Sequence, residues 1–371
     1  MAKKEQIEKE SVVSSINDFL KDHEGHHYNN LPEVNYRVKT GSLNFDITLD
    51  GGFGPGIHRF SGINEGGKTS CALQIGANFQ RQVKNSYVIY VKAEGRLDER
   101  VLARSGLDTR EEKFKVIKSN ECEMVYDFIN MLIDNSKGDE NGKKFLFIID
   151  SMDALIRAED QKKAFDESQK VAGGALMAST FLKKMSLKIS ELGHMMIIIS
   201  QVRSTIDMGG HGPSTTEAGG NAIKHYASYS LEFRSRYEPD KIYENNNAAS
   251  RLAKGKQIGH WCKILFKKSI NEKTGTEIKY PIKYGRVGGK SIWVEMEIFD
   301  LLMAWGLIAK SGAWFNFKEA AIKILNENGV TDIALDTKYQ GESKIFDLLE
   351  SRQDITNAFF NYFTGLICKN D

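Results

Sequence analysis

Proline is scarce in this chain, 5 in 371 residues, and cysteine scarcer still at 4. So little proline excludes a polyproline or collagen-like build. The cysteines, Cys71, Cys122, Cys262 and Cys368, stand far apart, without the spacing of a zinc site or a disulfide framework. No apolar run approaches the length of a membrane span, and the opening residues MAKKEQIEKE lack the apolar stretch of a secretion signal. The net charge is only +2, so any hold on a polyanion must come from a local patch. Together these absences lead us to expect a reduced, soluble, cytoplasmic protein with no membrane partner.

What is present supports a packed core. Apolar residues make up 41% and charged residues 27%, which excludes wholesale disorder. The length suits a large α/β core with small appendages, and 33 glycines supply tight turns. One stretch, 254–290, is strongly basic: Lys254, Lys256, Lys263, Lys267, Lys268, Lys273, Lys279, Lys283, Arg286 and Lys290 stand against Glu272 and Glu277 alone. Such a run is either a solvated face or a phosphate-binding one.

Residues 1–24 have the pattern of an amphipathic helix, with Ile7, Val12, Val13, Ile16, Phe19 and Leu20 near one side, and a polar, breaker-containing stretch follows. From residue 36 short apolar runs (57–61, 87–91, 145–149, 195–200) alternate with helical patterns, as in a mostly parallel, helix-covered sheet. Later runs at 225–233, 261–266 and 278–284 look antiparallel or edge-like. From Gly312 helical patterns dominate, including 319–326 and 355–367. The expected division is therefore an N-terminal helix and linker (1–35), a core (36–311) and a small, α-rich C-terminal domain (312–371).

Directly after the run 57–61 comes Gly62-Ile63-Asn64-Glu65-Gly66-Gly67-Lys68-Thr69, then an apolar helix start. This is a complete phosphate loop in the strand–loop–helix setting it needs. Gly62, Gly66 and Gly67 let successive N–H groups turn inward, and the helix N-terminus adds partial positive charge. Lys68 is placed to reach the β- and γ-phosphates and the Thr69 hydroxyl to ligate Mg²⁺, with Glu65 and Ser70 completing the loop's contacts to ATP. The run 145–149 ends in Asp150, where a strand's C-terminal end can present an acid to a magnesium-bound water; the bland alternative is a helix-capping Asp. Glu94 follows the run 87–91 at the same edge and is the candidate general base, or else an ordinary surface acid. His23-Glu24-Gly25-His26-His27 also fits a zinc-protease pattern, but Gly25 interrupts the helical turn that chemistry requires.

Further stretches narrow the phosphate loop to one family. Thr216-Glu217-Ala218-Gly219-Gly220-Asn221-Ala222-Ile223-Lys224-His225-Tyr226-Ala227-Ser228 closely resembles the signature segment of bacterial RecA recombinases. Val38-Lys39-Thr40-Gly41-Ser42-Leu43, Ala93-Glu94-Gly95-Arg96-Leu97-Asp98, Ser200-Gln201-Val202-Arg203 and Gly312-Ala313-Trp314-Phe315 resemble other landmarks of that family, in order. The resemblance implies a RecA-like phosphate-loop NTPase core, a twisted and mostly parallel sheet. It further implies a DNA-dependent ATPase that forms filaments on single-stranded DNA and exchanges strands with duplex DNA. Glu94 would activate water, Gln201 would sense the γ-phosphate, and Asp98 would contact adenine. Two loops, around 159–174 and 203–219, would hold DNA through Val171, Gly173, Arg203, Ile206, Gly219, Gly220 and Asn221, with Val171 and Ile206 as wedges between bases. Lys267 and Lys268 would reach a neighbouring subunit's ATP, Lys268 the better placed, and Lys224 would lie at the same interface. The N-terminal helix would pack on an adjacent subunit, and loading or mediator proteins are possible partners.

Some positions depart from the family. Val101 stands where a tyrosine usually stacks on adenine, so Arg100 is the candidate to replace it by a cation–π contact. Lys92 stands where an acid is usual, beside Glu94. The chain ends in Lys369-Asn370-Asp371 without a long acidic tail, so regulation through one is not expected. These departures suit a distant relative such as a viral recombinase, which would act in the host cytoplasm. Two rival readings stay open: a hexameric motor or helicase on the same core, and a nucleotide-binding scaffold without strand exchange.

Overall fold

A computed structural model describes residues 14–21, 36–95, 97–137, 142–162, 172–204, 215–217, 220–244 and 254–367. The chain divides into two units, Met1–Asn35 and Tyr36–Asp371. Of the first, residues 14–21 are described and form a helix that leaves Ile16 and Phe19 exposed.

The second unit is built on a ten-stranded sheet. Its strands are β1 (Gly56–Gly62), β2 (Ser86–Lys92), β3 (Phe114–Lys118), β4 (Lys144–Asp150), β5 (Met195–Ser204), β6 (Thr215–Glu217), β7 (Tyr229–Phe233), β8 (Lys241–Tyr243), β9 (Gln257–Lys268) and β10 (Glu277–Lys283). Their order is β10-β9-β7-β1-β5-β4-β2-β3, with β6 on β5 and β8 on β9. β7, β1, β5, β4, β2 and β3 run parallel, while β9 and β10 extend the sheet antiparallel. The central strands are covered on both faces, so all seven residues of β1 are buried, and β4 reads as the unbroken apolar run Phe145–Ile149.

Helices fill the two faces. Against one lies Lys68–Gln82, contributing Ala72, Leu73, Ile75 and Phe79 to a core shared with Phe60, Tyr90, Ile197 and Phe266. Against the other lie Cys122–Asn135 and Ala172–Glu191. Val125, Ile129 and Ile133 recur every fourth residue along the first of these, one stripe of a helix, and pack with Ile198 and Leu182. Truncating a fully buried side chain here, such as Ile129 to alanine, would cost about 2–5 kcal/mol.

The sequence expectations need three amendments. Residues 225 and 226 close a short helix, Gly220–Tyr226, and are not strand. β7 pairs parallel with β1 and is not an edge. β3 was not anticipated: only one of its five residues is fully buried, too weak an apolar signal to stand out. Toward the C-terminus a third core gathers Ile298, Phe299 and Leu302 with Phe315, Phe317, Leu325, Leu349 and Phe359, and takes in Leu43. The 311/312 boundary falls in the turn of a hairpin joining Ile308–Ser311 to Trp314–Phe317. The expected helices at 319–326 and 355–367 are Glu319–Glu327 and Gln353–Ile367. No described helix is long and apolar enough to cross a membrane.

Candidate active site

The parallel strands point their C-terminal ends to one edge, and the chemistry-bearing residues collect there. Register fixes this: Gly62 of β1 lies level with Gln201 of β5, and Lys92 of β2 level with Asp150 of β4. The phosphate loop leaves β1 at Gly62 (φ 141°) and enters the helix Lys68–Gln82 at Gly67 (φ 107°), both left-handed conformations that only glycine adopts freely. A Cβ at Gly62 would sit 2.3 Å from the carbonyl oxygen of Phe233, so the close approach of β7 also requires glycine there. Glu65 takes a positive φ of 59° at the loop's apex.

Lys68 is buried and curls back over its own loop, donating from Nζ to the carbonyls of Gly62 (2.8 Å) and Ile63 (2.5 Å). Burial lowers its pKa, opposed by the negative charges of Asp150, Asp153 and Glu94. Thr69 Oγ1 donates to Asp150 Oδ2 at 2.9 Å, and the Tyr90 hydroxyl donates to the same oxygen. Lys92 Nζ stands 3.9 Å from it. A hydroxyl beside a single carboxylate suits Mg²⁺, which keeps most of its waters and takes few protein ligands.

Glu94 is placed by two donors. Ser151 Oγ donates to its Oε1 at 3.0 Å and Gln201 Nε2 donates to the same atom at 3.1 Å. The backbone N–H of Gln201 in turn donates to Asp153 Oδ2 at 2.7 Å. Lys68, Thr69, Asp150, Glu94 and Gln201, each singled out in the sequence, thus gather at one edge of the sheet, with Thr69 bonded to Asp150 and Gln201 to Glu94.

On the other side of the loop opens a cleft of about 540 Å³, within the roughly 300–1,000 Å³ usual for small-molecule sites. Glu65 through Cys71 line it together with Val101, Arg104, Tyr284 and Gly285. The loop's conformation, the buried lysine and the cleft's size all fit a nucleoside triphosphate. Asp98 and Arg100 do not line this cleft. Asp98 caps the helix Glu99–Ser105, accepting from the Arg100 N–H, and the two side chains form an exposed ion pair with each other. That pairing draws the Asp98 carboxyl down to about 2. Arg236, after β7, His260, on β9, and Tyr284, just past β10, also line the cleft and carry no motif in the sequence. His260 Nδ1 lies 3.0 Å from the Tyr284 hydroxyl.

Lys268 is not level with this chain's phosphate loop. Lys268 pairs with Ser230, and Ser230 with Arg59, three residues back along β1 from Gly62. Lys267 Nζ meets Glu232 at 3.0 Å, and Lys268 Nζ donates to the carbonyls of Lys224 (3.0 Å) and His225 (2.7 Å). Of the expected DNA contacts, Val171, Ile206 and Gly219 lie outside the described residues. Arg203 is in β5, Gly173 in the first turn of Ala172–Glu191, and Gly220 and Asn221 open the helix Gly220–Tyr226. β5 and β6 pair antiparallel, Arg203 opposite Thr216, and bracket residues 205–214.

The family model for the RecA N-terminal domain matches residues 6–271. The chain belongs to the RecA family. Among curated RecA relatives, Protein RecA of Solidesulfovibrio magneticus is 30% identical over 282 residues, covering 76% of this chain and 72% of that one. Protein RecA of Sinorhizobium medicae is 29% identical over 294 residues (78% and 73%), and that of Bifidobacterium longum 28% identical over 322 residues (84% and 74%). Membership makes the chain a RecA-family DNA recombination and repair ATPase, and the phosphate loop with its neighbours Glu94, Asp150 and Gln201 falls within the matched residues.

Proposed function

We propose that this chain is a DNA-dependent ATPase that assembles as a helical homo-oligomer on single-stranded DNA, pairs it with homologous duplex and exchanges the strands. One observation carries the reading. The strand β5 holds Gln201 against Glu94 at the ATP site, and within two residues the same strand reaches Arg203 and the segment expected to hold DNA. A residue that senses the γ-phosphate there shifts the strand that bears the DNA loop, so each ligand biases the affinity for the other.

In this reading Lys68 and the loop amides hold the triphosphate, and Thr69 and Asp150 hold Mg²⁺, which neutralises developing charge on the phosphates. Glu94 accepts the proton of the attacking water, and Ser151 and Gln201 keep its carboxylate aimed. Val171, Gly173, Ile206, Gly219, Gly220 and Asn221 hold the DNA without reading its sequence. Lys268, remote from its own phosphate loop, serves the neighbouring subunit's ATP.

The test is ATP hydrolysis with Mg²⁺, with and without single-stranded DNA. Strong stimulation by DNA is expected, together with filaments under the electron microscope. Hydrolysis indifferent to DNA would favour a scaffold, and rings in place of filaments a motor.

A further inference from the structure

Arg236 approaches the phosphate loop from the side opposite the catalytic acids. It follows β7, which flanks β1 on one side, whereas Gln201, Asp150 and Glu94 belong to β5, β4 and the end of β2 on the other. Its Nη2 donates to the carbonyl oxygen of Glu65 at the loop's apex, and the side chain lines the cleft beside His260 and Cys262. Among the described residues that is the side chain's one hydrogen bond, and no carboxylate pairs with it. A guanidinium carries five N–H donors, so most of this one's capacity is unspent. Its charge is felt in the cleft: His260 is pushed down to about 4 by burial and then by Arg236, so it stays neutral. A partly buried cation without a counter-ion, facing a cleft floored by phosphate-binding amides, is suited to an anion.

We propose that Arg236 binds the bound nucleotide of its own subunit through the two phosphates nearest the ribose. The assignment to those phosphates follows from sidedness. The γ-phosphate must face the water held at Glu94, on the β2–β4 side, while Arg236 lies on the β7 side, in the cleft that Tyr284 and Gly285 also line. The proposal rests on the reading of this cleft as the ATP site.

Fluorescent analogues of ATP and ADP titrated into the full chain and into Arg236→Gln and Arg236→Lys test it. Arg236→Gln should weaken both nucleotides alike, by about tenfold, the loss expected for one charge-assisted hydrogen-bonded contact. Arg236→Lys should recover part of that loss. Unchanged affinities in Arg236→Gln would reduce the residue to a brace for Glu65 and overturn the proposal, and so would a loss confined to ATP. Failure of the unaltered chain to bind either analogue would overturn the underlying reading instead. A measurement on the unaltered chain settles the matter should Arg236→Gln not fold. Phenylglyoxal modification of Arg236, followed by mass spectrometry, should be blocked by ADP and not by adenosine. Equal modification with and without ADP would sink the proposal.

Discussion

Gln201 Nε2 and Ser151 Oγ donate to one and the same oxygen of Glu94, at 3.1 and 3.0 Å, leaving the carboxylate's other oxygen for water. The two donors fix the acid's orientation from two different strands, β5 and the end of β4. Their loss should therefore have different consequences from loss of the acid itself.

Glu94→Gln removes the base and keeps the shape. Turnover should fall by about 100-fold or more, the usual worth of a positioned proton acceptor, with ATP affinity and filament assembly retained. Gln201→Ala should leave DNA-free hydrolysis within a few-fold of normal and abolish its stimulation by DNA. Steady-state hydrolysis with and without DNA, beside equilibrium ATP binding, separates the two. Normal turnover in Glu94→Gln would move the base elsewhere.

The central part of this site was legible because it is local. A phosphate loop is contiguous, and Asp150 and Glu94 each end a strand whose apolar run announces it. In a parallel sheet all such ends share one edge, so order along the chain sufficed. Arg236, His260 and Tyr284 were not legible for the opposite reason. They sit on β9, just past the end of β10 and in the segment after β7, where direction reverses, and only the register of Ile282 opposite His260 brings the first two to the cleft. The basic stretch shows its partners only in the fold. Lys263 is paired with Asp240, Lys267 with Glu232, and Lys283 and Arg286 with Glu350, so much of it is internally neutralised.

Buried carboxyls join the ATPase core to the C-terminal core. Glu297 accepts from Ser42 Oγ (2.5 Å) and from the N–H groups of Leu43 and Asn44 (3.1 and 3.3 Å), and Asp46 accepts from Thr40 N–H at 2.7 Å. Burial pushes Glu297 up to about 8 and Asp46 up to about 7. Between about pH 4, where free carboxyls ionise, and these values the folded chain keeps protons that the unfolded chain has released. This contribution to stability is therefore full below about pH 4 and falls progressively until pH has passed through about 7 to 8. Asp108, drawn down to about 2 by its bonds to Arg110, titrates well below that window. Glu297→Gln should flatten the decline in denaturation midpoint between about pH 6 and about pH 8.5. An unchanged slope would exclude Glu297 as the titrating group.

Lys92 Nζ, 3.9 Å from Asp150 Oδ2, places a cation beside the carboxylate expected to hold Mg²⁺. Like charges near one site compete, even when solvent screens most of the interaction. Lys92→Gln should lower the Mg²⁺ concentration for half-maximal ATP binding by about three- to tenfold. A Mg²⁺ titration of a fluorescent ATP analogue reads this directly. A higher requirement would mean that Lys92 orients Asp150 more than it opposes the metal.

Lys268 ends a strand that carries it away from its own phosphate loop, level with Arg59 rather than Gly62. A contribution to catalysis must then be made to another subunit, across a heterologous, head-to-tail contact. Lys268→Ala and Glu94→Gln should each be inactive alone, because every interface lacks one of the two groups. Mixed in equal amounts, about a quarter of interfaces would combine an intact Glu94 on one subunit with an intact Lys268 on the next. Hydrolysis should therefore reappear on mixing, to roughly that fraction of the unaltered rate. Were Lys268 to act within its own subunit, no mixed interface would hold a complete site and the mixture would stay silent. Recovery on mixing is thus a result that action within a single subunit cannot produce.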